Sequence, residues 1–281
     1  MIGQRPAFRI LRGLWTLRGY RTVRLFGTQW RLTPETEFPV RPGCACPRGA
    51  VTDLVVRYTD FVQMHAAFRC LSETDHPPVV VDVGAFHGAY AVPFGVLAKQ
   101  KFGTGRIIAV EPNPVSLSVL HRNIDLNDLG EVVQVVPVAV SDREGKMWLN
   151  MNESQSCLHT ARGTGDAVEV TVRRLDELIG TTTRIDLLMI DVEGAELPVL
   201  RGLNPEQLSQ AMILCELHPY AWRAFGYGDA EFAQFLRERG LVAVDAYWRV
   251  LGDRFGSSYI GPTRLVSENF CRKAKSAFPP A

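Results

Sequence analysis

Four short stretches of this 281-residue chain gather the side chains that could do chemistry, each setting carboxylates beside glycine, proline or histidine. They are Asp82-Val-Gly84-Ala-Phe86-His-Gly88, Glu111-Pro-Asn113-Pro, Asp191-Val-Glu193-Gly-Ala-Glu196 and Glu216-Leu-His218-Pro. Carboxylates so grouped can accept from hydroxyls or from cationic groups, and His218 has the natural pKa for moving a proton near neutrality. Asp191, Glu193 and His218 are therefore the candidates for a general base or for orienting a substrate. Asp191 with Glu216 or His218 also makes an oxygen-rich set for Mg²⁺, which keeps water and needs few protein ligands. The alternative is that these groups satisfy one another by hydrogen bonds. Glu196, just beyond, could pair with Arg201.

The elements that must position them follow from periodicity. From residue 79, short β-branched runs alternate with segments of helical period, the pattern of a parallel sheet covered by helices. Val79 to Val83, Arg106 to Val110, Val132 to Val140, Ile185 to Ile190 and Ala211 to Leu217 read as strands. Helices are predicted over 88–100, around Leu117, Leu120 and Ile124, and over 195–203 and 231–239. Residues 146–151 and 167–172 alternate in β fashion and read as an insertion over the sheet, with Leu241 to Val244 and Tyr259 to Val266 as edge strands. The predicted fold is α/β: a Rossmann-like, doubly wound, mostly parallel sheet with an antiparallel edge. It occupies residues 50–267, after a basic segment 1–49 and before a tail 268–281.

In such a sheet, ligands bind beyond the carboxyl ends of the strands, where the winding reverses. The first strand is followed by Gly-x-x-x-Gly with an acid before it, not by the Gly-x-Gly-x-x-Gly that seats a pyrophosphate on a helix N-terminus. An acid there repels a pyrophosphate and welcomes an ammonium. Gly84 would let backbone approach a ligand, Gly88 would open the helix, and Glu111, expected to face solvent, could take both hydroxyls of a ribose. A ribose joined to an amino acid without a pyrophosphate is S-adenosylmethionine.

These stretches, with Leu120-His-Arg-Asn-Ile-Asp-Leu-Asn127, Ala139-Val-Ser-Asp142 and Leu175-Asp-Glu-Leu178, stand in the order seen in the FkbM-type family of S-adenosylmethionine-dependent methyltransferases, which the chain resembles over about residues 79–220. The resemblance implies a class I methyltransferase fold with Asp82, Gly84 and Glu111 around the cofactor, together with Phe86, Gly88 and Asn113. It also implies that the turn carrying Ser141 and Asp142 lies near the adenine. The implied activity is O-methylation of a small metabolite or saccharide, with N-methylation or a silent cofactor-binding scaffold as alternatives. The chain departs from the family at Phe86, where Asn is usual and where the ring is expected to stack beside the cofactor. It departs again at Met189, where Lys is usual and where the side chain is expected to enter the core.

Composition narrows the partners. Thirty-one basic against 30 acidic residues leave a net charge of +1, which argues against a nucleic-acid partner. The absence of an 18-residue apolar run or a secretion signal makes a cytoplasmic protein the expectation. Residues 1–34 nevertheless carry seven Arg and no acid, and Phe8, Leu11, Leu14, Trp15 and Leu17 could line a basic amphipathic helix. Such a segment suits a peripheral membrane or protein contact or an organelle address; the alternative is a lead-in that packs Trp15 and Trp30 on the domain. Of six cysteines only Cys44 and Cys46 lie close together, and without a second pair they make no zinc site. The Ala161 to Asp166 stretch lacks the ending of a phosphate loop and reads as a turn.

Overall fold

A computed structural model of the protein describes residues 19–36, 64–151, 158–159, 166–245, 248–256 and 261–267. The Phe8 to Leu17 face, the Cys44 and Cys46 pair, residues 161–165 and the tail 268–281 lie outside the described residues.

Thirteen strands occur among them: β1 (Arg21–Leu25), β2 (Thr28–Leu32), β3 (Val79–Val83), β4 (Arg106–Val110), β5 (Val133–Val136), β6 (Ala139–Ser141), β7 (Gly145–Asn150), β8 (Leu158–His159), β9 (Ala167–Arg174), β10 (Leu187–Ile190), β11 (Met212–Leu217), β12 (Leu241–Val244) and β13 (Gly261–Ser267). Helices α1 (Ala91–Phe102), α2 (Pro114–Asp125), α3 (Leu175–Ile179), α4 (Glu196–Arg201), α5 (Pro205–Gln210) and α6 (Asp229–Glu238) connect or cover them. Residues 64–73 are helical as well.

The central sheet has the order β12-β13-β11-β10-β3-β4-β5. Its strands run parallel except β13, which is antiparallel to both neighbours. Unbroken apolar runs are what strands buried on both faces require, and the core divides accordingly. Val81, Val83, Leu188 and Ile190 pack on one face, while Val80, Leu187 and Met189 pack on the other with Phe94 and Leu120. Met189 is therefore a core residue. The chain winds outward from β3 through β4 to β5, then returns to the other side of β3 with β10, so the reversal falls between β3 and β10.

The expected Val132 to Val140 strand is two. β5 stops before Pro137, which has no N–H for a ladder, and β6 leaves for a second sheet of order β6-β9-β7-β8. That sheet is the predicted insertion and packs Ala139, Leu149, Val170 and Val172 together. The first helix begins at Ala91 rather than residue 88, because Gly88 (φ 83°) is in a left-handed turn that a helix does not contain. β13, expected at an edge, lies inside the sheet with β12 outside it.

The hairpin of β1 and β2 packs on this body. Trp30 and Leu32 are buried with Met64, Phe68, Leu71 and Phe94. Two asparagines one turn apart on and just after α2 take the place of a further strand. The Asn127 amide accepts from Arg31 N–H (2.7 Å) and donates to Arg31 carbonyl (2.7 Å). Asn123 accepts from Thr33 N–H (2.7 Å) and donates to the carbonyl of His87 (2.7 Å). This accounts for both asparagines in the Leu120 to Asn127 motif, and it makes residues 19–36 part of the body.

Candidate functional site

Sheet register brings the four stretches to one level. Cys215, Ile190, Val83 and Val110 are successive partners across β11, β10, β3 and β4, so the residues that follow them, Glu216, Asp191, Gly84 and Glu111, stand side by side on the carboxyl rim. A cleft of about 230 Å³ opens there, lined by Gly84, Phe86, Glu111, Asp191 and Glu193, with Val110, Pro112, Val138 and Val140 as apolar wall and Leu149 and Leu158 of the second sheet as cover. It sits at the winding reversal, the place where open α/β sheets bind ligands.

Gly84 is required by the protein itself. Its φ is 83°, and a Cβ built there would run into the backbone carbonyl of Asp191. The turn closes as Gly84 and Ala85 N–H both donate to the Val110 carbonyl (2.9 and 3.0 Å). Gly88 similarly has no room for a Cβ, which would come within 2.7 Å of Leu120. Between them Phe86 has φ 46°, a conformation bulky residues rarely adopt. Its ring stacks on His87 at 3.7 Å and lines the cleft.

Glu111 does not face solvent as expected; it is buried at 5% exposure because the glycine loop folds over it. One carboxylate oxygen accepts from Phe86 N–H (2.8 Å) and the other from Asn113 N–H (2.8 Å), and desolvation pushes its pKa up to about 7. Asp82 is deeper. It lies outside the cleft lining, accepts from Ala91 N–H (2.9 Å) as the cap that α1 lacks locally, and is pushed up to about 7 by desolvation. Asn113 is likewise committed: its side-chain oxygen caps α2 by accepting from Val115 and Ser116 N–H. Ser141 and Asp142 line a separate hollow with Arg201 and Tyr227, whereas their neighbours Ala139 and Val140 line the cleft.

These burials have a pH signature. A carboxyl whose folded pKa is raised holds its proton more tightly in the folded state, so stability falls as pH rises from its unfolded value through its folded one. Asp82 and Glu111 act in this sense between about 4 and about 7. His87, pressed by desolvation down to about 4, opposes them only below its ordinary 6.5. The protein is expected to be less stable to urea at mildly alkaline than at mildly acidic pH. Asp82→Asn keeps an acceptor for Ala91 and removes a buried charge, so it should recover part of that loss, at most about 4 kcal/mol. A pH slope unchanged by the substitution would count against Asp82 as its source.

The other lip is acidic. His218 is buried, with Nδ1 2.8 Å from Glu196 Oε1 and Nε2 3.7 Å from Glu193, 3.9 Å from Asp191 and 3.9 Å from Glu216. Burial pulls the imidazolium down, but the Glu196 bond and the charges of Asp191, Glu196 and Glu193 overcome it and lift the pKa to about 9. Desolvation, then Glu216, holds Asp191 well above the usual carboxylate range. Tyr220, half exposed, donates to Glu193 (2.5 Å), whose φ of 49° turns its carboxylate back over the lip. Asp191, Glu193 and His218 each offer a ligand atom within 4.8 Å of the others. His218 carries the positive charge among these carboxylates, and a hard cation held by the oxygens of Asp191 and Glu193 would displace its proton and free Nε2 as a third ligand.

Glu196 does not meet Arg201. It is wholly buried and accepts from Gly194 N–H (3.0 Å), Trp222 Nε1–H (2.7 Å) and His218, with the Tyr227 hydroxyl 3.0 Å away. Sequence reasoning missed Glu196, Tyr220, Trp222 and Tyr227 as parts of the site. The available signal was three aromatics with polar tips within ten residues of His218.

Methyltransferase sdnD of Sordaria araneosa is 30% identical over 163 residues, 46% of this chain and 61% of that protein. Methyltransferase 1 of Beauveria bassiana (strain ARSEF 2860) is 28% identical over 151 residues, 45% of this chain and 59% of that one. The chain thus spans about three fifths of the length of these curated relatives. Among solved structures, Methyltransferase FkbM from Methylobacillus flagellatus KT superposes with a TM-score of 0.36 at 18% identity, over 64% of this chain and 46% of that one. Magnesium protoporphyrin IX methyltransferase from Synechocystis PCC 6803 gives 0.40 at 11% identity, over 79% and 84%. No helix among the described residues is long and apolar enough to cross a membrane. The sequence model of the FkbM methyltransferase domain matches residues 82–242, more than half of the chain and all four chemical stretches, so the chain belongs to the FkbM methyltransferase domain family.

Proposed function

We propose that the cleft binds S-adenosylmethionine and that the protein passes its methyl group to a hydroxyl of a small metabolite or saccharide. The observation that carries this reading is the single rim on which Gly84, Glu111, Asp191 and Glu216 stand, at the reversal of the sheet. When bound, the cofactor supplies a methyl group already activated by its sulfonium. In this reading Glu111 takes the ribose hydroxyls, Val110, Pro112, Val138 and Val140 flank the base, and Phe86 closes the near side. Asp82 acts at one remove, by fixing the start of α1. Asp191 and Glu193 accept the hydrogen bond of the acceptor, and Asp191 removes its proton, since methyl transfer to a hydroxyl releases one; His218, already protonated at neutral pH, could serve as the base only above its pKa of about 9. The second sheet excludes water.

N-methylation is the second reading, favoured by the three carboxylates within 3.9 Å of His218 Nε2, an acidic lip that gathers an ammonium. Mg²⁺ belongs to the same proposal as an addition at Asp191, Glu193 and His218.

Titration calorimetry of the full chain with S-adenosylmethionine and S-adenosylhomocysteine, with NADH as control and with and without Mg²⁺, tests the reading. Micromolar binding of the first two and none of NADH is expected, a level at which about 8 kcal/mol is gained; silence toward both would overturn it. Asp191→Asn is expected to slow formation of S-adenosylhomocysteine with a screened acceptor on the order of 10²-fold while leaving cofactor affinity unchanged. Full activity in that variant would remove Asp191 from the chemistry.

A further inference from the structure

Every donor that meets Glu196 comes from one of two loops. Gly194 N–H belongs to the turn after β10, which carries Asp191 and Glu193; His218 and Trp222 Nε1–H belong to the segment after β11, which carries Tyr220. The two loops are in close contact at this point, since a Cβ on Gly194 would come within 2.5 Å of Ala221. Tyr227 seals the same spot: its hydroxyl lies 3.0 Å from Glu196 Oε2 and 2.8 Å from the Gly194 carbonyl, and takes the N–H of Leu197.

We propose that Glu196 is the positioning residue of this site: its buried carboxylate ties the two loops of the acceptor lip together and fixes His218 with Nδ1–H directed inward and Nε2 directed at Asp191, Glu193 and Glu216. What Nε2 then does rests on the methyl-transfer reading; how the ring is held does not. A carboxylate is needed because its two oxygens meet fixed donors at both ends, Gly194 N–H on Oε1 and Trp222 Nε1–H on Oε2. An amide cannot serve both, since its NH₂ would face one of them. The His218 proton on Nδ1 thus depends on a second oxygen lone pair that Gln supplies only by opposing its NH₂ to Trp222.

Imidazole proton–nitrogen correlations of His218 in the ¹⁵N-labelled full chain test this directly. At the alkaline end of the titration the neutral ring is expected with its proton on Nδ1, and a ring protonated on Nε2 instead would overturn the proposal. Glu196→Gln is expected to lose that signature and to lower acceptor turnover at least tenfold, with S-adenosylhomocysteine affinity by calorimetry within twofold of the parent. Retention of the Nδ1 proton in this variant would also overturn it. Should Glu196→Gln fail to fold, Trp222→Phe takes its place. That variant removes one donor and leaves the carboxylate, so the Nδ1 proton is expected to persist, and its loss would assign the ring's orientation to packing rather than to Glu196. An intact ring signature in a protein that binds neither cofactor form would support the positioning role while overturning the functional reading.

Discussion

An alanine at Gly84 is expected to abolish binding at the cleft and to lower the unfolding free energy by about 3 kcal/mol, the upper range for a residue forced into a left-handed backbone. The methyl group would meet not a side chain that can rotate away but the carbonyl of Asp191, itself held in the sheet by its N–H bond to the Val83 carbonyl (2.9 Å). The loop must therefore lift, and Phe86 N–H would leave Glu111 with it. Urea unfolding and cofactor calorimetry on the same preparation read both effects. Wild-type stability in the alanine variant would mean that β3 and β10 tolerate separation at their ends, contrary to the register.

Glu196→Ala is expected to be costlier, by about 3–5 kcal/mol, the range for removing one partner of a buried charged pair. It leaves Trp222 Nε1–H, Gly194 N–H and the His218 ring without their shared acceptor, and each buried donor so abandoned is penalised by its full desolvation. A loss below about 1 kcal/mol, the level of an exposed ion pair, would show that water enters to replace the carboxylate. The chemical denaturation midpoint, with an unchanged slope, is the measurement.

The two variants mark where the sequence could and could not be read. Val79 to Val83 and Arg106 to Val110 were legible to the residue because prolines or glycines bound them and both faces are buried. The rim residues were legible for the same reason, since a strand end is a local property. Val132 to Val140 was not, because the fork between two sheets depends on partners that no local run reveals; Pro137 was its one signal. Asn113, Asp82 and Gly88, expected around the cofactor, also serve the backbone, as caps of α2 and α1 and as a turn against Leu120, roles that their motif alone does not show. Glu196 was misread for a different reason: Arg201 is five residues away, while its actual partners His218, Trp222 and Tyr227 are more than twenty away. Spacing within a helix could not show a bond made by the fold.

Asn123 touches both the hairpin and the His87 carbonyl of the glycine loop. One amide is thus shared by an N-terminal ornament and by the loop that walls the cleft. If a ligand in the cleft changes how firmly that loop is held, the change reaches the hairpin through this amide, and by thermodynamic reciprocity a ligand of the hairpin would then change the cleft's affinity by the same factor.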